Sequence, residues 1–105
     1  MTAWLWLALA LGSAHAADGL TTAAAQGRGA WEFNTRDFGS HHPSNGRIAA
    51  TESLYFGAEM GALAFTERSR HRSIRWAGRA GALFVSGYFA HLAVHNAGVC
   101  RHGCR

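Results

Sequence analysis

The chain has no lysine, a single proline and only two cysteines among its 105 residues, and 15% of the residues are charged. So little proline argues against a loop-rich all-β fold. Two cysteines are too few for a disulfide scaffold or a four-cysteine zinc site. The low charge excludes disorder driven by charge repulsion. The length leaves room for one domain and is too short for most nucleotide-binding α/β enzymes.

Small residues and arginine dominate what is present. The chain has 21 alanines and 13 glycines, and all 10 basic residues are arginine, against 6 acidic residues. No phosphate-binding loop, zinc-protease motif, dinucleotide fingerprint or catalytic Ser-His-Asp grouping is found, so we expect no enzyme activity and no cofactor. The arginines are not interleaved with aromatic residues on one face, so nucleic-acid binding is not indicated.

The amino-terminal segment, residues 1–26, has two interpretations. The apolar run that ends in Ala14-His15-Ala16 fits a secretory signal peptide cleaved after Ala16. The same run continues with Asp18 as its only charge, and 22 residues of helix are about 33 Å long, enough to cross a bilayer. The segment is therefore a cleaved signal or a first transmembrane helix.

The remainder divides by composition into alternating loops and helices. The fold we expect is all-α, a small three-helix transmembrane bundle in a single domain, 1–105. After the first helix, the predicted parts are an outer loop at 27–46, helix 2 at 47–66, a connector at 67–75, helix 3 at 76–99 and a tail at 100–105. Ser44 or Asn45 is expected to cap helix 2.

The distribution of arginine predicts an orientation. The 67–75 connector carries four arginines against one glutamate, which places it in the cytoplasm by the positive-inside rule and the 27–46 loop outside. The predicted protein is a small integral protein of the inner membrane with a structural or accessory role and without catalytic activity. Its partners would be the lipid bilayer and a helix of a partner or a second copy. The alternative is an exported soluble helical protein, periplasmic or secreted, that binds a metal or a protein partner.

Polar residues inside membrane helices are costly unless they are paired, so we expect them to make contacts within the bundle. We predict two such contacts, Glu59 with Arg79 and Glu52 with His91 or His95. The complete set of expected intramembrane polar residues is Asp18, Thr22, Glu52, Glu59 and Arg79.

The carboxyl-terminal part offers weak candidates for a metal site. His91 and His95 are one helical turn apart, and Cys100, His102 and Cys104 form a Cys-x-His-x-Cys pattern. The alternatives for the cysteines are a disulfide between Cys100 and Cys104, or free thiols.

One stretch resembles a pattern in small bacterial multi-pass membrane proteins of unknown function. Asp18-Gly-Leu-Thr21-Thr22 matches an Asp-x-x-Thr-Thr late in their first helix, and Glu32-Phe-Asn34 matches a Glu-x-Asn that opens the following loop. In that pattern a proline often follows the asparagine, where this chain has threonine. The resemblance implies a multi-pass membrane protein and supplies no catalytic residues.

Overall fold

Three helices make up most of the residues that a computed structural model describes, 2–30 and 42–99. The all-α, three-helix architecture is confirmed over these residues. The last helix begins at Arg72 rather than at Trp76, because arginine is a good helix former and a basic run does not by itself mark a loop. The bounds are α1 Ala3–Gly27, α2 Asn45–Glu67 and α3 Arg72–Gly98.

The local sequence accounts for the helix ends. Ser44 caps α2, as expected, since its Oγ accepts a hydrogen bond from the Arg47 backbone N–H at 3.1 Å. α1 ends at Gly27, and Gly29, two residues further on, has a φ of 89°, in the left-handed region that favours glycine. The N–H of Ala30 then reaches back to the carbonyl of Ala25 at 3.0 Å, which satisfies one of the last carbonyls of α1.

The helices run up, down and up, so the bundle has two ends. The connector end holds the start of α1 and the 68–71 connector, and the loop end holds the end of α1, the start of α2 and the end of α3. At the loop end, the Arg28 guanidinium donates to the carbonyls of Asn96 (3.0 Å) and Val99 (3.1 Å). This contact places a cation at the negative end of the α3 dipole and ties α1 to α3.

The hydrophobic core is small. Its buried members are Leu7, Leu11, Leu63 and Ala82, one patch shared by all three helices. None of the described helices is both long enough and apolar enough to cross a membrane, so hydropathy gives no support to the expected membrane spans.

A close contact between α2 and α3 lies at Gly78. A Cβ at this position would collide with the side chain of Thr66, so glycine is what allows the two helices to approach. Gly57 and Gly61, which form a G-x-x-x-G in the sequence, have open space around them. Their spacing therefore does not mark a helix contact within this bundle.

Candidate functional site: a buried acid-base cluster

The interior of the bundle contains a histidine held between two carboxylates, which we call the His15 cluster. His15 projects from α1 toward α2 and is 3% exposed. Its Nδ1 lies 2.6 Å from Oε2 of Glu52, and its Nε2 lies 2.5 Å from Oε2 of Glu59. Both ring nitrogens are thus engaged, each by a different carboxyl group.

The helix periodicity brings these three side chains together. Glu52 and Glu59 are seven residues apart, two turns of α2, so they lie on one side of that helix. The His15 ring lies at the level between them. On its α3 side the ring packs against Phe89 with 4.0 Å between ring centroids, and Phe56 of α2 approaches edge-on at 6.3 Å. Aromatic rings therefore complete the enclosure of the imidazole.

A second polar group, which we call the Asp18 cluster, lies toward the loop end. Asp18 and Thr22 of α1 are both buried, and the Asn96 side-chain amide of α3 donates to Oδ1 of Asp18 and Oγ1 of Thr22, each at 3.0 Å. The cluster joins α1 to α3 as the His15 cluster joins α1 to α2. In the described part of the chain, no buried side-chain nitrogen or oxygen lacks a hydrogen-bond partner.

The predicted pair between Glu59 and Arg79 is wrong. Arg79 instead binds Glu67 at the connector end, through Nε at 2.6 Å and Nη2 at 2.9 Å. The arginine side chain is long enough to extend toward the connector end, where it binds both oxygens of the Glu67 carboxylate. The hydrogen bonds from Arg79 hold the pKa of Glu67 below its usual range, against the opposing effect of desolvation.

The predicted contact of Glu52 with His91 or His95 is also wrong. Both histidines are exposed on α3, and Glu52 binds His15 of the neighbouring α1 instead. Residues 2–30 and 42–99 include no group of three or more histidine, cysteine or acidic side chains that could hold a metal ion. Cys100, His102 and Cys104, with their predicted metal site or disulfide, lie outside the described residues.

Two cavities adjoin the His15 cluster from opposite directions. The larger, of about 460 Å³, lies between α1 and α2 on the loop-end side, and His15 and Glu52 form part of its wall. The smaller, of about 240 Å³, lies toward the connector end between α2 and α3, and Glu59 forms part of its wall. The remaining walls of both cavities are mostly apolar.

Sequence reasoning missed His15 and Asn96. In the sequence, His15 stands out only as part of the Ala14-His15-Ala16 cleavage pattern, and Asn96 carries no charge that would single it out. The sequence did contain a signal for His15, because the buried positions of α1 recur every three or four residues, the period of one helix face. Those positions include Leu7, Leu11, His15, Asp18, Thr22 and Ala25.

Comparison of the chain with protein-family models, with curated proteins and with solved structures finds no match. The resemblance built on Asp18, Thr21 and Thr22 stays a prediction, and its loop residues Glu32 and Asn34 lie outside the described residues.

Proposed function

We propose that this protein is a small integral membrane protein, a three-helix bundle embedded in the bilayer with a structural or accessory role rather than a catalytic one. The observation that supports the proposal is the distribution of polarity. In the middle of the bundle, His15, Asp18 and Glu52 point inward, while large apolar side chains point out. A bundle surrounded by water has the opposite arrangement.

The outward surface of the bundle has a band with few charges. Within Ala3–Ala24, Ala49–Phe65 and Trp76–Ala90, the charged side chains that reach the surface in part are Glu59, 21% exposed, and Arg79, 28% exposed. Phe84 and Phe65 in this band are each 76% exposed. The α2 segment of the band is about 24 Å long at 1.5 Å per residue, against about 30 Å for the hydrocarbon core. Local thinning of the bilayer accommodates a difference of this size.

In α1 and α2, buried polar residues account for part of the modest mean hydropathy. His15, Asp18 and Glu52 lower the average of their helices, yet all three are enclosed by neighbouring helices. Lipid would meet only the outer side chains. Intramembrane ionisable residues that face the bundle interior and pair with one another are the usual arrangement in membrane proteins.

The connector end has the features of a membrane–water interface on the cytoplasmic side. Trp4, Trp6 and Trp76 are exposed there, as an aromatic belt requires. The arginines of the connector lie just beyond them. These features support an inner-membrane location with the connector in the cytoplasm.

The alternative, an exported soluble protein cleaved after Ala16, is less consistent with the contacts inside the bundle. Cleavage would remove Leu7, Leu11 and His15, three of the buried residues of α1. Glu52 and Glu59 would lose the imidazole that binds both of them, which leaves two acidic groups in a nonpolar interior. An intact α1 is therefore part of the proposal.

Cysteine labelling tests the membrane location. In a background with Cys100→Ser and Cys104→Ser, we expect Phe84→Cys in intact membranes to resist a water-soluble maleimide and to react after detergent is added. Ser69→Cys in the connector is the matched control and should react from the cytoplasmic side without detergent. Equal labelling of both positions in intact membranes would reject the proposal.

Carbonate extraction with amino-terminal sequencing separates the proposal from its alternative. We expect the protein to stay in the membrane pellet and to retain residues before Ala17. A protein that is released into the supernatant and begins at Ala17 would establish the exported form instead.

A further inference from the structure

We propose that the His15 cluster is a proton relay that connects the two cavities along the bundle. Glu52 would exchange protons with the larger cavity and Glu59 with the smaller one, and His15 would pass protons between them. The inference rests on the proposed membrane location, because transfer along the bundle has a consequence only if its two ends face separate compartments.

The protons of the two hydrogen bonds can occupy more than one position. Each of the two short contacts of His15 needs one proton between nitrogen and oxygen, so the cluster holds two protons. They can belong to an imidazolium between two carboxylates, or to a neutral imidazole between one carboxylate and one carboxylic acid. The two arrangements carry the same charge and differ only by the position of one proton.

A complete cycle moves one proton from one cavity to the other. Starting from the imidazolium, Nε2 gives its proton to Glu59, which releases it into the smaller cavity. A proton from the larger cavity then binds Glu52. Rotation of the neutral imidazole turns its remaining N–H toward Glu59, and the proton on Glu52 moves to the ring nitrogen that now faces it. The cluster is again an imidazolium between two carboxylates, now with Nδ1 facing Glu59 and Nε2 facing Glu52, so the next proton leaves from Nδ1.

The positions of the two cavities give the relay a direction along the bundle. Glu52 and Glu59 are two turns apart on α2, a separation of about 10 Å along the helix axis. Glu52 lies at the cavity on the loop-end side and Glu59 at the cavity toward the connector end. The side chain of Glu59 is 21% exposed, against 4% for His15, so the relay is most open at Glu59.

Few other ionisable groups lie near the imidazole. From α2 the groups that face it are Glu52 and Glu59, and the contact from α3 is the ring of Phe89. On α1 the nearest acidic group is Asp18, which accepts a hydrogen bond from Asn96. No arginine in the described residues forms an ion pair with either glutamate of the cluster.

Proton flux in reconstituted vesicles tests the relay. The full chain is incorporated into vesicles of phosphatidylcholine and phosphatidylglycerol that contain a pH-sensitive dye, and a potassium diffusion potential drives protons. We expect the wild-type flux to exceed that of empty vesicles. We expect His15→Gln and Glu59→Gln each to lower it about a hundredfold or to background, the range typical for loss of a proton-transfer group. His91→Gln, an exposed histidine outside the cluster, is the matched control and should leave the flux unchanged.

Chemical rescue distinguishes a relay from a structural contact. Imidazole added to His15→Ala should restore part of the flux, because the free base can occupy the vacated space between the two carboxyl groups. Histidine NMR signals of the wild type should change in Glu59→Gln, because the proton on Nε2 loses its acceptor carboxylate. A structural role alone would not produce the rescue.

Vesicle flotation separates the two proposals. A wild-type protein that does not float with the vesicles would overturn the membrane location. A wild-type protein that floats but conducts no more than empty vesicles would overturn the relay and leave the membrane location standing. Flux equal to wild type in His15→Gln and in Glu59→Gln would also overturn the relay.

Discussion

The two polar clusters inside the bundle use the same helix, α1, in different ways. The Asp18 cluster joins α1 to α3 through an amide that donates both of its protons, to a carboxylate and a hydroxyl. The His15 cluster joins α1 to α2 through an imidazole whose two nitrogens each share a hydrogen bond with a different carboxyl group. In the first cluster the side chain that links the helices is an amide, which is not ionisable, whereas in the second it is an imidazole, which can take up or release a proton.

The two clusters also differ in whether they line a cavity. Both cavities have a member of the His15 cluster in their walls, whereas Asp18, Thr22 and Asn96 line neither of them. A buried contact with a purely structural role is best closed and fully satisfied. Access to a cavity, rather than burial or charge alone, therefore separates the His15 cluster, the candidate functional one, from the Asp18 cluster.

The largest effect should come from removing the shared partner of the two carboxyl groups. We expect His15→Leu to destabilise the bundle by about 3–5 kcal/mol, the cost of breaking a buried ionic contact while its partners remain. Unfolding of the protein in mild detergent measures the loss.

The compensated variant provides the control. His15→Leu combined with Glu52→Gln and Glu59→Gln should recover a large part of the lost stability, because no acidic group then remains without its partner. A single His15→Leu variant as stable as wild type would show that the cluster contributes little to the fold.

The Asp18 cluster should be weaker. We expect Asn96→Ala to cost about 1–3 kcal/mol, because two buried oxygens lose the amide that donates to them. His95→Ala, at the exposed neighbouring position, should have almost no effect. If Asn96→Ala proved more destabilising than His15→Leu, the ranking of the two clusters would be reversed.

The close approach of α2 and α3 at Gly78 can be tested separately, because neither the His15 cluster nor the Asp18 cluster joins these two helices through hydrogen bonds. Gly78→Ala would drive a methyl group into the Thr66 side chain, and overpacking of this kind costs about 1–3 kcal/mol. Gly81→Ala, one turn away in open space, should be neutral or stabilising by up to about 1 kcal/mol, as alanine is the better helix former. Equal melting temperatures for the two variants would contradict the close approach at Gly78.

Much of the fold was predictable from the sequence because each helix is a long stretch without proline, and Ser44 marks a start that its local hydrogen bond enforces. The residue types of the polar interior were also predictable, since Asp18, Glu52 and Glu59 are conspicuous in apolar surroundings. Each of the three has a side-chain partner in the structure.

The partners were not predictable, because depth along a helix does not fix the direction of a side chain. Arg79 lies near the level of Glu59, yet its long side chain reaches Glu67. Glu59 is turned toward α1 and binds His15, a residue that the sequence presents only as part of a cleavage pattern. Pairing depends on how the helices rotate against one another, which helix periodicity within one segment does not specify.

The smallest effect should come from the Arg79–Glu67 pair, which supplies the exposed counterpart to the buried clusters. Its lowered pKa means that Glu67 stabilises the fold above pH 4.5, the ordinary value, and that this contribution is lost as the pH falls through the lowered pKa. Glu67→Gln should therefore lower Tm slightly at neutral pH, by less than Gly78→Ala, because solvent screens an exposed pair. The difference in Tm between wild type and Glu67→Gln should shrink as the pH falls below 4.5 and through the lowered pKa of Glu67, because the carboxyl group then becomes protonated in the folded protein too. A difference that grew on acidification would mean that the carboxylate destabilises the folded protein, and the connector end would then need another source of its stability.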